Sequence, residues 1–149
     1  MVTGALPGQG TVIMEAMGKL IPPVVPAGSM AGDRPPDVRI DDELVLRAWR
    51  VEDAPVVVEA FADPDIQHWH FRRYDDEAEA LGWIEATFED WRSERSATWA
   101  IVRTATDVVG RVTIYTSLED GHGEVSYWVL PHARRQRVAS RACIAAIEW

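Results

Sequence analysis

GEVSYWVLPHARRQRVASRACIAAIEW, residues Gly123–Trp149, decides how this chain is read. Val125, Tyr127 and Val129 alternate with Glu124, Ser126 and Trp128, the period-two pattern of a strand. Pro131 ends the ladder because it has no N–H to donate. A short Arg-rich loop, His132–Val138, leads into Ala139–Trp149, a run of good helix formers that places Cys143, Ala146 and Ile147 on one face. Strand, loop and helix start together aim backbone N–H groups and the positive end of a helix dipole at one spot. Such a spot can hold a phosphate, although strand–loop–helix junctions occur throughout α/β domains and most bind nothing.

Working outward, the charge distribution singles out the same segment. The chain of 149 residues carries a net charge of −9, and between Asp41 and Arg95 sixteen acids face six arginines. The loop and helix start then hold Arg134, Arg135, Arg137 and Arg141 with no acid between Glu124 and Glu148. The cluster reads either as an anion site or as a solvated helix start. The acidic total argues against nucleic acid as a partner and suits a cationic one such as an amine. An apolar fraction of 47% and a charged fraction of 26% belong to a soluble globular domain, and this length allows one domain. The single cysteine, Cys143, forms no internal disulfide, reads as a buried thiol, and points to a reducing cytoplasm.

Upstream, residues 1–37 hold six of the ten glycines and six of the nine prolines, and read as a flexible extension with a marginal helix around Val12–Leu20. The apolar piece Thr11–Val25 is broken by Glu15, Gly18 and Lys19, so neither a signal peptide nor a membrane span is expected. The folded domain is expected over 38–149. Leu44–Trp49 predicts a strand, and Glu52 to about Phe61 a helix with Pro55 in its first turn. Asp63-Pro64-Asp65 predicts a turn. His68, Trp69, His70, Phe71 and Tyr74 form an aromatic stretch, read as the lining of a cleft or as a hydrophobic cap. No metal is expected there, because two histidines two residues apart share no helix face and zinc takes three or four ligands. Asp75–Arg95 predicts a helix with Leu81, Ile84, Phe88 and Trp91 in one apolar stripe. Ala97–Arg103 and Val108–Thr116 predict two strands joined at Thr104–Asp107, with a bulge at Gly110. The expected fold class is α/β (α+β): a mixed, largely antiparallel sheet flanked by helices, in the order β-α-α-β-β-β-α.

That order and three phrases resemble the GNAT N-acetyltransferase family, in particular its ribosomal-protein alanine acetyltransferase-like branch. The phrases are LVLRAWRVEDAPVVVEAF at Leu44–Phe61, the hairpin Ala100–Gly110, and the segment GEVSYWVLPHARRQRVAS. The resemblance covers about Asp42–Trp149 and implies acetyl-CoA as cosubstrate, with an amine or a protein N-terminus as acceptor. Its loop pattern, Arg/Gln-x-x-Gly-x-Gly/Ala, falls on Arg134, Arg135, Gln136, Arg137, Val138 and Ala139, implied to hold the pyrophosphate. Tyr127, Trp128 and Val129 match the strand end implied to pair with the pantetheine arm. Glu124 is the implied catalytic base, with a plain surface carboxylate as the other reading.

Two departures stand out. Arg137 occupies the position of a glycine that brings the backbone close to the pyrophosphate, often at an unusual φ. If the loop keeps its shape, Arg137 adds charge; if not, the cradle is deformed. No such concern is raised at Arg135. The chain also stops after the helix that follows the loop, where the family continues with further strands and a helix. The expectation is therefore an incomplete, C-terminally truncated domain: an impaired acetyltransferase, or else a catalytically inactive relative or a half-domain completed by a partner. Its last strand would be an uncovered edge open to self-association.

Overall fold

The computed structural model describes residues 22–104 and 106–149; the helix expected at Val12–Leu20 lies outside them. Five strands form one antiparallel sheet in sequence order: β1 (Val38–Arg39), β2 (Val45–Arg47), β3 (Ser96–Val102), β4 (Val108–Ser117) and β5 (His122–Val129). Four helices accompany it among the described residues: α1 (Ala54–Ala62), α2 (Pro64–His70), α3 (Glu77–Arg92) and α4 (Val138–Glu148). Short 3-10 turns cover Val51–Asp53 and Pro131–Ala133. No helix among the described residues is long and apolar enough to cross a membrane.

The sheet separates two cores. On one side Leu46, Trp99, Ile101 and Val112 pack with Val138, Ala142 and Ala146 of α4. On the other, Ala100, Val102 and Trp128 pack with Val57 and Phe61 of α1, Ile66 of α2, and Ala80 and Ile84 of α3. Trp49 joins this second core, its ring 5.0 Å from that of Trp83 and 6.0 Å from that of Trp128. Ile147 stands 64% exposed, so the apolar face of α4 runs through Val138, Ala142 and Ala146 and leaves Cys143 half-buried. Between Ile101 and Val102 the β3–β4 register slips by one residue, making Val109 the extra residue beside the bulge expected at Gly110. A Cβ on Gly110 would lie 2.5 Å from the Trp128 carbonyl oxygen, so the close approach of β5 to β4 requires glycine there.

Three differences from the sequence reading have physical causes. Asp63-Pro64-Asp65 starts a helix: the Asp63 side chain caps α2 by accepting from Asp65 N and Ile66 N, and Pro64 takes the first helical position. The same residues suit a turn, which hid the helix. A two-residue strand, β1, precedes the first expected strand. Finally, part of the 1–37 segment is packed onto the domain. Val24 N and Val25 N donate to Glu119 O and Leu118 O, the Glu94 carboxylate accepts from Gly28 N and Met30 N, and the Trp91 and Trp99 indoles donate to Gly32 O and Pro36 O. Glycines and prolines bar regular structure from this strap but leave its carbonyls and amides free to bond the domain.

Candidate functional site

β5 is the edge of the sheet, and its parity organises everything beside it. Leu130 N donates to Val109 O, continuing the register that pairs Trp128 with Arg111 and Ser126 with Thr113. In an antiparallel ladder, alternate residues bond inward and the rest point their backbone groups outward. Val125, Tyr127 and Val129 therefore present N–H and C=O to the free edge. The outward carbonyls confirm this: His70 Nε2–H donates to Tyr127 O at 3.2 Å, and Arg134 Nε donates to Val129 O at 3.1 Å. The outward N–H groups of Val125, Tyr127 and Val129 face the cleft.

That cleft has a volume of about 1150 Å³ and runs between β5, the end of α2 and the start of α4. Glu124, Tyr127, Trp128, Val129, Arg134, Arg135, Arg137, Val138 and Ala139 all border it. Gln136 does not; its amide is turned to His132 O at 2.9 Å and accepts from Arg103. Trp128 borders the cleft, but its N–H and C=O turn inward to β4 and its indole is buried among Trp49 and Phe61. Tyr127 stands half exposed, and Glu124 lies exposed on the α1–α3 side of the strand.

The loop takes its turn with arginine in place of glycine. Arg137 is left-handed, φ 59° and ψ 18°, and its carbonyl accepts from Arg141 N and Ser140 Oγ at 3.1 Å. Arg135 is also left-handed, at φ 61°, so the strain raised for one position falls on two. Two successive turns of this hand leave the N–H groups at the start of α4, on Val138, Ala139 and Ser140, without helical acceptors and beside the cleft.

The four-arginine cluster divides. Arg141 is taken by Asp41, to which Nε donates at 2.8 Å, and by Glu43 at 3.1 Å. Arg134 is bonded to Asp63 at 2.9 Å as well as to Val129 O, and so ties the α1–α2 junction to the strand end. Arg135 and Arg137 have no ion pair among the described residues and border the cleft. Carboxylates distant in sequence thus neutralise two of the four arginines.

His70, read in the sequence as part of a cleft lining or a cap, borders the cleft on its other side, and Arg111, given no role there, lies buried against Ser126. His70 ends α2, half-buried against Phe61; burial, and then the charge of Arg111, push its imidazole below the usual histidine range. With Nε2–H given to Tyr127 O, Nδ1 keeps a lone pair at neutral pH. Arg111 lies buried on β4, and its Nη2 donates to Ser126 Oγ at 2.7 Å. An arginine inside the apolar run VVGRVTIY was the sequence signal for it. Burial raises the Cys143 thiol, keeping it protonated beside the cleft.

The acetyltransferase (GNAT) domain profile matches residues 43–149. The fold is similar to that of a protein from Vibrio cholerae described as a ribosomal-protein-serine acetyltransferase (21% identity, TM-score 0.58, 72% of this chain and 62% of that one). It is similar to the microcin C7 self-immunity acetyltransferase MccE, solved with acetyl-CoA and AMP (14% identity, TM-score 0.64, 80% and 67%). It also resembles an acetyltransferase from Salmonella typhimurium that modifies the N-terminal serine of a 50S ribosomal subunit protein (12% identity, TM-score 0.62, 76% and 66%). No curated protein sequence matches the chain. The chain spans about two thirds of the length of these solved relatives. By the profile that covers most of its length, and by the sheet and helices that carry the match, the chain belongs to the GNAT acetyltransferase domain family.

Proposed function

We propose that the cleft binds acetyl-CoA and that the chain takes part in acetyl transfer to an amine, either a small molecule or a protein N-terminus. The observation that carries this reading is the outward backbone of β5 lying beside the unpaired amides of α4. One supplies a strand edge for an extended arm, the other an anion site for its phosphates. The residues fit: Val125, Tyr127 and Val129 offer outward N–H groups along the arm. The amides of Val138 and Ala139 with the guanidiniums of Arg135 and Arg137 surround the phosphate end. Arg134 and Gln136 support the loop, the first by fixing Val129 and the second by bonding His132.

Bound here, acetyl-CoA supplies an activated acyl carbon. The amine lone pair forms the new C–N bond as the C–S bond breaks, the thiolate leaves as free thiol, and the amine's proton passes to the protein or solvent. An outward N–H of β5 is placed to stabilise negative charge on the carbonyl oxygen. Glu124 and His70 are the groups placed to take the proton, one exposed on the strand, the other holding a free Nδ1. The free edge of β5 also suits pairing with a second chain, and the unpaired Cys143 suits a cytoplasmic location. Titration calorimetry with acetyl-CoA, followed by thiol release with a panel of amines, tests the reading. Binding with acceptor-dependent release is expected; absence of any coenzyme binding refutes it.

A further inference from the structure

We propose that the acceptor carries a carboxylate close to its amine and that Arg111 holds it. The amine rests on the acetyl-transfer reading above; the carboxylate rests on a separate feature of the fold. Two arginines of this sheet are buried, Arg47 and Arg111, each about 5% exposed. Arg47 is gripped in a fork by Asp53, Nη1 to Oδ2 at 2.7 Å and Nη2 to Oδ1 at 2.9 Å. Arg111 meets hydroxyls only: Ser126 Oγ at 2.7 Å and the Tyr115 side chain. Its Nε–H has no acceptor, and no carboxylate pairs with it among the described residues. Tyr74, Arg72 and His70 also lie near it, and Glu124, directly across the ladder from Tyr115, is the carboxylate on the same face of β5; no ion pair joins it to Arg111 among the described residues. Trp128, its partner directly across the β4–β5 ladder, also buries an indole N–H without an acceptor.

A buried guanidinium without a counter-charge is costly, and folds keep one where something else brings the charge. The place fits an acceptor. Ser126, which bonds Arg111, borders the cleft on the face opposite α4, between Glu124 and the His70 contact. The phosphate loop lies at the other end and on the other parity of the strand. A carboxylate suits the site because its two oxygens match the planar guanidinium fork, as Asp53 does for Arg47. An amine so held would lie within reach of β5, where the thioester carbonyl is placed.

The carboxylate has two sources, the α-carboxylate of an amino acid or the side chain of an acidic N-terminal residue in a peptide. Each is compared with its own amide in thiol-release kinetics. KM is expected to favour the carboxylate by about 10- to 100-fold in one of the two arms, as a charge-assisted hydrogen bond implies. Whichever arm shows the preference names the source. In Arg111→Met the ratio is expected to collapse to about one, and in Arg111→Lys to fall partway. A coenzyme-free readout keeps the idea separate from acetyl transfer: the melting temperature of the full chain is measured with glycine against glycinamide, and with aspartic acid α-amide against asparagine α-amide. A rise with the carboxylates that Arg111→Met abolishes supports the inference even if no transfer is seen. Equal KM for carboxylate and amide, a preference that survives in Arg111→Met, or a melting rise indifferent to Arg111 overturns it.

Discussion

Replacing Arg137 by glycine separates two contributions of one residue. Its left-handed backbone, φ 59° and ψ 18°, costs a residue with a Cβ about 1–2 kcal/mol. Glycine escapes that cost but loses about 0.5–1 kcal/mol of chain entropy on folding. The net expectation is a gain of about 0.5–1 kcal/mol, or about 2–4 °C in a domain of this size. Arg137→Ala is the control: it keeps the Cβ, and with it the strain, while removing the guanidinium. Thermal denaturation should place Arg137→Gly above the parent and Arg137→Ala at or just below it. In calorimetry with coenzyme A, both variants should bind about 10-fold more weakly, because both lack the phosphate-facing charge. If glycine and alanine melt together, the strain argument is wrong. If Arg137→Gly binds coenzyme more tightly than the parent, the arginine obstructs the cradle and its charge does not matter.

Two further outcomes follow from ion pairs. Asp53→Ala leaves Arg47 buried without its fork and should cost about 3–5 kcal/mol by urea denaturation, part of it recovered when Arg47→Met is added. Hydrogen bonding from Arg134 holds the Asp63 carboxyl below the usual carboxylate range, so the pair stabilises the fold above about pH 4 and that contribution is lost as pH falls through the depressed value. Asp63→Asn keeps the α2 cap but not the charge, and should show a shallower loss of urea midpoint between pH 5 and pH 2.5 than the parent. Parallel profiles would remove Asp63 from the acid transition.

Most of the framework was legible because strand and helix periods are written locally. The β3–β4–β5 meander, α3 and α4 fall within a few residues of where alternation and capping put them. α2 was hidden because Asp-Pro-Asp opens a turn and a helix equally well, and the ring contacts that hold it, such as Phe61 with His70, are made only in the fold. The strap 22–37 was hidden because its bonds come from Glu94, Trp91 and Trp99, more than fifty residues away. At the site, the loop was legible as a motif, but the division of its arginines was not. Asp41, Glu43 and Asp63 reach them only across the assembled sheet. Arg111 had a signal that periodicity could not interpret, since a charge on a buried strand has meaning only once its neighbours are known.

Having the two sides of the cleft share one strand bears on how such a protein diversifies. Even positions of β5, Glu124 and Ser126, face one neighbourhood, while odd positions, with their outward amides, serve the other. On the proposed acetyl-transfer reading, substitutions at even positions can therefore retune the acceptor side without disturbing the donor's seat. An insertion or deletion of one residue in the β4–β5 turn has no such freedom, because it exchanges every side chain between the faces at once. Drift by point change is open along this strand; drift by length is closed.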